Sequence, residues 1–195
     1  MQFSFLAVLF IFGALQALLF ILGLWRISVD HRTISFRLLL TLLVSIGVIL
    51  AHHGIFSGLS GQVAWHYAFM EFSAACWLLV PPTLYLFVRS LTEEGFRWRR
   101  RFWWLFVVSG YQVISLGLRC VGFPYGFYLL FRGNMAFYTY AWVGSYLVMG
   151  AIFGVATLRL LRTSRQSARL RERLRWLRHY VIAFLAAIGV SSLAL

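Results

Sequence analysis

The chain has no lysine, only two cysteines and only five acidic residues, and each scarcity removes a class of function. Without lysine there is no Schiff-base chemistry in these 195 residues, retinal attachment included. Cys76 lies inside one apolar run and Cys120 near the end of another, with no motif spacing, so neither a disulfide framework nor a zinc site is expected. No Gly-rich phosphate loop, nucleophile elbow, HExxH pair or paired catalytic carboxylates occurs. An enzyme reading therefore has little to stand on, and no catalytic residues, cofactor or metal are expected. The opening MQFSFLAV has neither a basic n-region nor a small-residue cleavage site, so the first apolar run is expected to stay as an anchor.

What is abundant is apolar. Hydrophobic residues make up 62% of the chain and charged ones 12%, with a mean hydropathy of +0.82, a balance foreign to water-soluble domains of this size. A bilayer core about 30 Å thick needs roughly 20 residues of helix. Runs of that kind fall near 3–25, 36–56, 65–88, 103–121 and 136–160, and a sixth starts near Tyr180. The expectation is an all-α polytopic transmembrane helical bundle, a single integral membrane domain over 1–195. It would have five full spans and a sixth, 180–195, cut short at Leu195. No internal repeat of the transporter kind and no soluble domain is visible.

The net charge of +13 would point to nucleic acid in a soluble protein, but here it sits in short connections and reads as topology. All eighteen basic residues are arginine, and sixteen fall in the first, third and fifth connections, which places those loops in the cytoplasm and the N-terminus outside. Trp98, Trp103 and Trp104 form an inner aromatic belt, and Tyr125, Tyr128, Tyr138, Tyr140 and Trp142 an outer one. With the arginine-rich connections on the cytoplasmic side, the expected location is the inner membrane, crossed several times.

Glu71 is the one acidic residue within any span, about 9 Å deep at 1.5 Å per residue. It is either a functional group, since burying a charge in hydrocarbon is costly, or an interfacial carboxylate reaching water. His52, His53 and His66 lie on the same outer side. They are solvated histidines, or groups that respond to pH near ~6–7; successive histidines on a helix point about 100° apart, which weighs against a shared metal. Tyr111, Gln112 and Arg119 are expected to complete an outward ligand cavity. Pro81 and Pro82 interrupt the third run and read as a hinge or as packing. Gly13 with Gln16, and Gly150 with Gly154, are helix-packing devices. Arg159, Arg162, Arg165 and Arg169 give one basic face to a cytoplasmic helix over 159–179, suited to anionic lipid headgroups at about 1 kcal/mol per charge. Membrane lipids are thus the expected partners, a homodimer is compatible, and no direct nucleic acid contact by this segment is expected.

Several of these residues together resemble the N-terminal membrane sensor domain of certain bacterial AraC-type transcriptional regulators. The likeness rests on Gly13 and Gln16 as a G-x-x-Q pattern, and on PPTLYLFVRSL with Pro82, Leu84, Tyr85, Arg89, Ser90 and Leu91. It rests also on Trp176 within RWLRHY. It implies a seven-span sensor followed by a cytoplasmic helix-turn-helix module, neither the seventh span nor that module being present in these residues. The function it implies is a signal-input module binding an unknown ligand on the outer side or within the bundle. The alternatives are a small transporter or channel component, or an assembly subunit.

Overall fold

The computed structural model describes residues 5–27, 33–58, 66–93, 95–120, 135–163, 178–179 and 182. Every element among them is helical: α1 (Phe5–Ile27), α2 (Ile34–Gly58), α3 (His66–Thr92), a 3-10 segment (Arg100–Phe106), α4 (Val107–Cys120) and α5 (Met135–Thr163). Hydrocarbon supplies no hydrogen-bond partners, so apolar runs of this length close their backbone bonds internally. Four of these helices are long and apolar enough to cross a membrane, over Ala7–Arg26, Ile34–Ile55, Phe72–Thr92 and Val143–Arg162. The sixth run, 180–195, lies outside the described residues except for Ile182.

The apolar run at 103–121 is divided. Arg99 is extended, the next seven residues wind as a 3-10 helix, and α geometry begins only at Val107. The fourteen residues of α4 span about 21 Å, short of a full crossing alone. The cause is the aromatic pattern of the preceding connection. Phe102 is buried among Phe96, Trp98, Leu38, Leu86 and Phe87, while Trp103 and Trp104 stay exposed. Phe102 N–H donates to the Arg99 carbonyl at 2.9 Å, a three-residue closure that tightens the turn. Phe96 and Trp98 meet the same ring at 5.7 and 5.8 Å between centroids. The guanidinium carbons of Arg89 and Arg101 stand 5.3 and 5.7 Å from its centre. The arginine-rich third connection is therefore an aromatic arm seated on α2 and α3.

α3 is the hub. It packs against α2, α4, α5 and the 3-10 segment, whereas the main packing partner of α1 is α2. Leu78, Leu84, Leu86, Val88 and both Pro81 and Pro82 are fully enclosed. The outward faces of α1 and α5 remain apolar and exposed, with Phe12, Leu19, Phe20, Ile152 and Val155 among them. Lipid tails are as apolar as leucine, so close backbone approach and interhelical polar contacts must hold such a bundle. At α1–α2 the approach is tightest at Gly54, where a Cβ would stand 2.7 Å from Ile11 Cγ1, and at Gly47, where it would meet Ala17 Cβ at 3.3 Å. Gly13 faces Leu50 as its residue type leads one to expect, while Gln16 is exposed on α1. Between α2 and α3 the Cys76 thiol hydrogen-bonds the Ser45 side chain. On α5, Tyr146, Gly150, Gly154 and Thr157 are all buried and share one face by their spacing of four, four and three.

Candidate functional site

The two histidines near the C-terminal end of α2 diverge, as adjacent helical positions must. Their ring centroids are 5.3 Å apart and tilted by 57°. His52 turns to Phe69 on α3, edge to face at 5.5 Å. His53 reaches Phe10 on α1 at 5.5 Å and Trp77 on α3 at 6.2 Å. Trp77 in turn meets Tyr146 on α5, T-shaped at 4.9 Å. Offset and edge-to-face pairs of this kind contribute about 0.5–1.5 kcal/mol each beyond their buried area. The result is a belt of rings that joins α1, α2, α3 and α5 and extends about 12 Å along α3, from Phe69 to Trp77.

This belt continues into a stripe along α3. Trp77, Pro81, Tyr85, Arg89 and Glu93 recur every four residues, so each neighbours the one before it while the row winds around α3 by about 40° per step and ends just past Thr92. Pro81 and Pro82 lack the N–H groups that would bond the carbonyls of Trp77 and Leu78, which weakens the helix directly below the ring belt. Tyr85 lies against Phe153 of α5 at 5.7 Å and hydrogen-bonds Arg89. Arg89 Nε donates to Glu93 Oε1 at 2.7 Å while its guanidinium covers Phe102. The ring contacts of Trp77 thus lie on the N-terminal side of the two prolines, and those of Tyr85 and Arg89, which reach α5 and the arginine arm, on the C-terminal side.

Of the residues singled out from sequence, His52 and His53 are brought together with ring partners on two other helices, α1 and α3. The backbone of Glu71 lies on α3 between Phe69 and Trp77, hence at the level of the belt; its side chain and those of His66 and Arg119 lie outside the described residues. Tyr111 and Gln112 are elsewhere. Their neighbours Ser109, Gly110 and Val113 line a cavity with Thr41 and Thr83, and Thr41 is about 16 Å along α2 from His52. The structure therefore does not bring Tyr111 and Gln112 to the histidines, because α4 starts beside the arginine arm and reaches only that far by its second turn. Arg159 and Arg162 are exposed near the end of α5; Arg165 and Arg169, like the outer belt at 125–142, lie outside what is described of side chains. Among the described residues no three His, Cys, Asp or Glu side chains converge on a metal-sized site.

Sequence reading passed over Phe10, Phe69, Trp77 and Tyr146, because an aromatic ring inside an apolar run leaves hydropathy unchanged. Trp77 is five residues inside the span that starts at Phe72, a depth at which a tryptophan reads as an ordinary interfacial residue. No protein-family model, curated protein or solved structure matches the chain.

Proposed function

We propose that this chain is the membrane-embedded signal-input module of a transcriptional regulator in the bacterial inner membrane, as its resemblance to AraC-type sensor domains implies. The reading is supported by α3, which carries the ring contacts of His53 with Trp77, then Pro81 and Pro82, then Arg89 against Glu93 and Phe102 of the arm. A ligand engaging His52 and His53, with His66, Glu71 and Arg119 arriving from the same outer side, shifts the proline-weakened segment of α3. The displaced Arg89 then loosens Phe102 and the arm.

In this reading the arm and the basic stretch after α5 are cytoplasmic and the N-terminus is outside. The crossing at 103–121 is completed by the 3-10 segment, whose seven residues add about 14 Å to α4. The full count is then five spans and a sixth beginning near Tyr180. Arg159, Arg162, Arg165 and Arg169 hold anionic headgroups at the inner surface.

A transporter component is the second reading, favoured by the buried Ser73, Thr83 and Ser109 hydroxyls on α3 and α4. Two experiments separate the readings. Sequencing the codons beyond Leu195 is expected to find a further apolar span leading into a basic helix-turn-helix sequence. His53→Ala and Pro82→Ala in that full-length regulator are expected to blunt its transcriptional response while leaving expression intact. A stop codon at that point, together with solute flux by the chain in proteoliposomes, would replace the sensor by the transporter.

A further inference from the structure

Between α2, α3, the 3-10 segment and the start of α4 lies a cleft of about 560 Å³. Its walls are mostly apolar, with Leu38, Leu79, Phe106 and Ile114 among them, and no charged side chain takes part. The polar side chains in its wall are Thr41, Thr83, Trp98, Trp103 and Ser109, and of these Thr83, Trp98 and Ser109 stand apart. Thr83 and Ser109 are 1% and 2% exposed, and their hydroxyls, like Trp98 Nε1, are buried with no hydrogen-bond partner. Helical hydroxyls in apolar surroundings ordinarily bond the carbonyl four residues back. Thr41 does so to Arg37 at 2.9 Å and Thr157 to Phe153 at 2.6 Å. At Thr83 and Ser109 that default is not taken. Three buried polar groups without a hydrogen-bond partner, on α3, on the arm and on α4, thus belong to residues that line one cleft.

We propose that this cleft binds a neutral lipophile, an apolar chain or ring system carrying one carbonyl or hydroxyl oxygen. The indole N–H is a donor only, so the ligand must present an acceptor. The absence of a charged lining residue makes a carboxylate or phosphate a poor occupant, because nothing would compensate its lost hydration. Each hydroxyl meets the ligand oxygen after a step of about 120° between staggered χ1 positions. Its volume falls within the range of about 300–1,000 Å³ found for small-molecule sites. The site lies beside the arginine arm rather than at the histidine belt, so it holds whether the chain senses or transports.

The purified chain in phosphatidylcholine–phosphatidylglycerol nanodiscs is exposed to a long-chain methyl ketone bearing a diazirine on its tail, and to the matching diazirine alkane. The ketone is expected to label segments 38–41, 79–83 or 106–114, and an excess of unlabelled ketone should abolish that labelling. Thr83→Val combined with Ser109→Ala should lower ketone labelling about tenfold, as the loss of two ordinary hydrogen bonds requires. Trp98→Phe alone should lower it severalfold. Alkane labelling of the same variants should stay at the wild-type level, which reports that the cleft still forms. Equal labelling by ketone and alkane in the wild type would mean that bilayer chains fill the cleft without recognition, and would overturn the proposal. Undiminished ketone labelling of the variants would overturn it as well.

Discussion

Gly54 shows how much of this bundle depends on single missing atoms. A Cβ there would meet Ile11 Cγ1 at 2.7 Å and the Ile11 backbone nitrogen at 3.0 Å; the side chain has room to move and the backbone does not. Gly54→Ala is therefore expected to lower the stability of the detergent-solubilised protein by about 1–3 kcal/mol, the usual range for overpacking. Gly23, with nothing within 4 Å, supplies the comparison: Gly23→Ala should be neutral or stabilising by up to about 1 kcal/mol. Thermal unfolding of both variants checks this, and equal shifts would remove close approach as the basis of α1–α2 packing. Gly13 was recognisable in the sequence as a small residue opposite a neighbour, yet its Cβ would meet only the movable tip of Leu50 at 3.1 Å. Gly54 carries no such mark, since its importance comes from where two helices cross.

At the scale of elements, the arm and α3 make separate predictions. Phe102 is the ring around which Phe96, Trp98, Arg89 and Arg101 are arranged. Phe102→Ala should cost about 3–5 kcal/mol of packing locally, and its specific sign should be faster trypsin cleavage after Arg97, Arg99, Arg100 or Arg101 in the solubilised protein. Unchanged cleavage would mean that the arm is held by something other than this ring. For α3, Pro82→Ala restores an N–H donor to the Leu78 carbonyl, so amide exchange over 78–86 is expected to slow whatever happens to net stability. Exchange that stays the same would show that the prolines do not weaken the helix. Both prolines were conspicuous in the sequence, whereas the arm was not. Arginine-rich connections read as solvated loops until it is seen that phenylalanine and tryptophan between the arginines are packed against α2 and α3.

For the whole molecule the testable quantity is topology. With Cys76 and Cys120 replaced by alanine, Ser60→Cys between α2 and α3 should react with an impermeant maleimide in intact cells. Thr92→Cys at the end of α3 should react only after the membrane is opened. The reverse pattern would invert the orientation and, with it, the proposed direction of signalling. The sequence by itself determined that the described chain is helical and apolar enough for a bilayer, where four of its apolar runs form helices to within a few residues, and which connections carry charge. These properties are sums over neighbouring residues, and a bilayer acts on each segment as it stands. Only the tertiary structure decided that His53 meets Trp77 and Phe10, that Tyr111 and Gln112 stand at another level, and that 103–121 opens as a 3-10 segment. Those outcomes depend on the rotation and depth of each helix against the next, and hydropathy is blind to both.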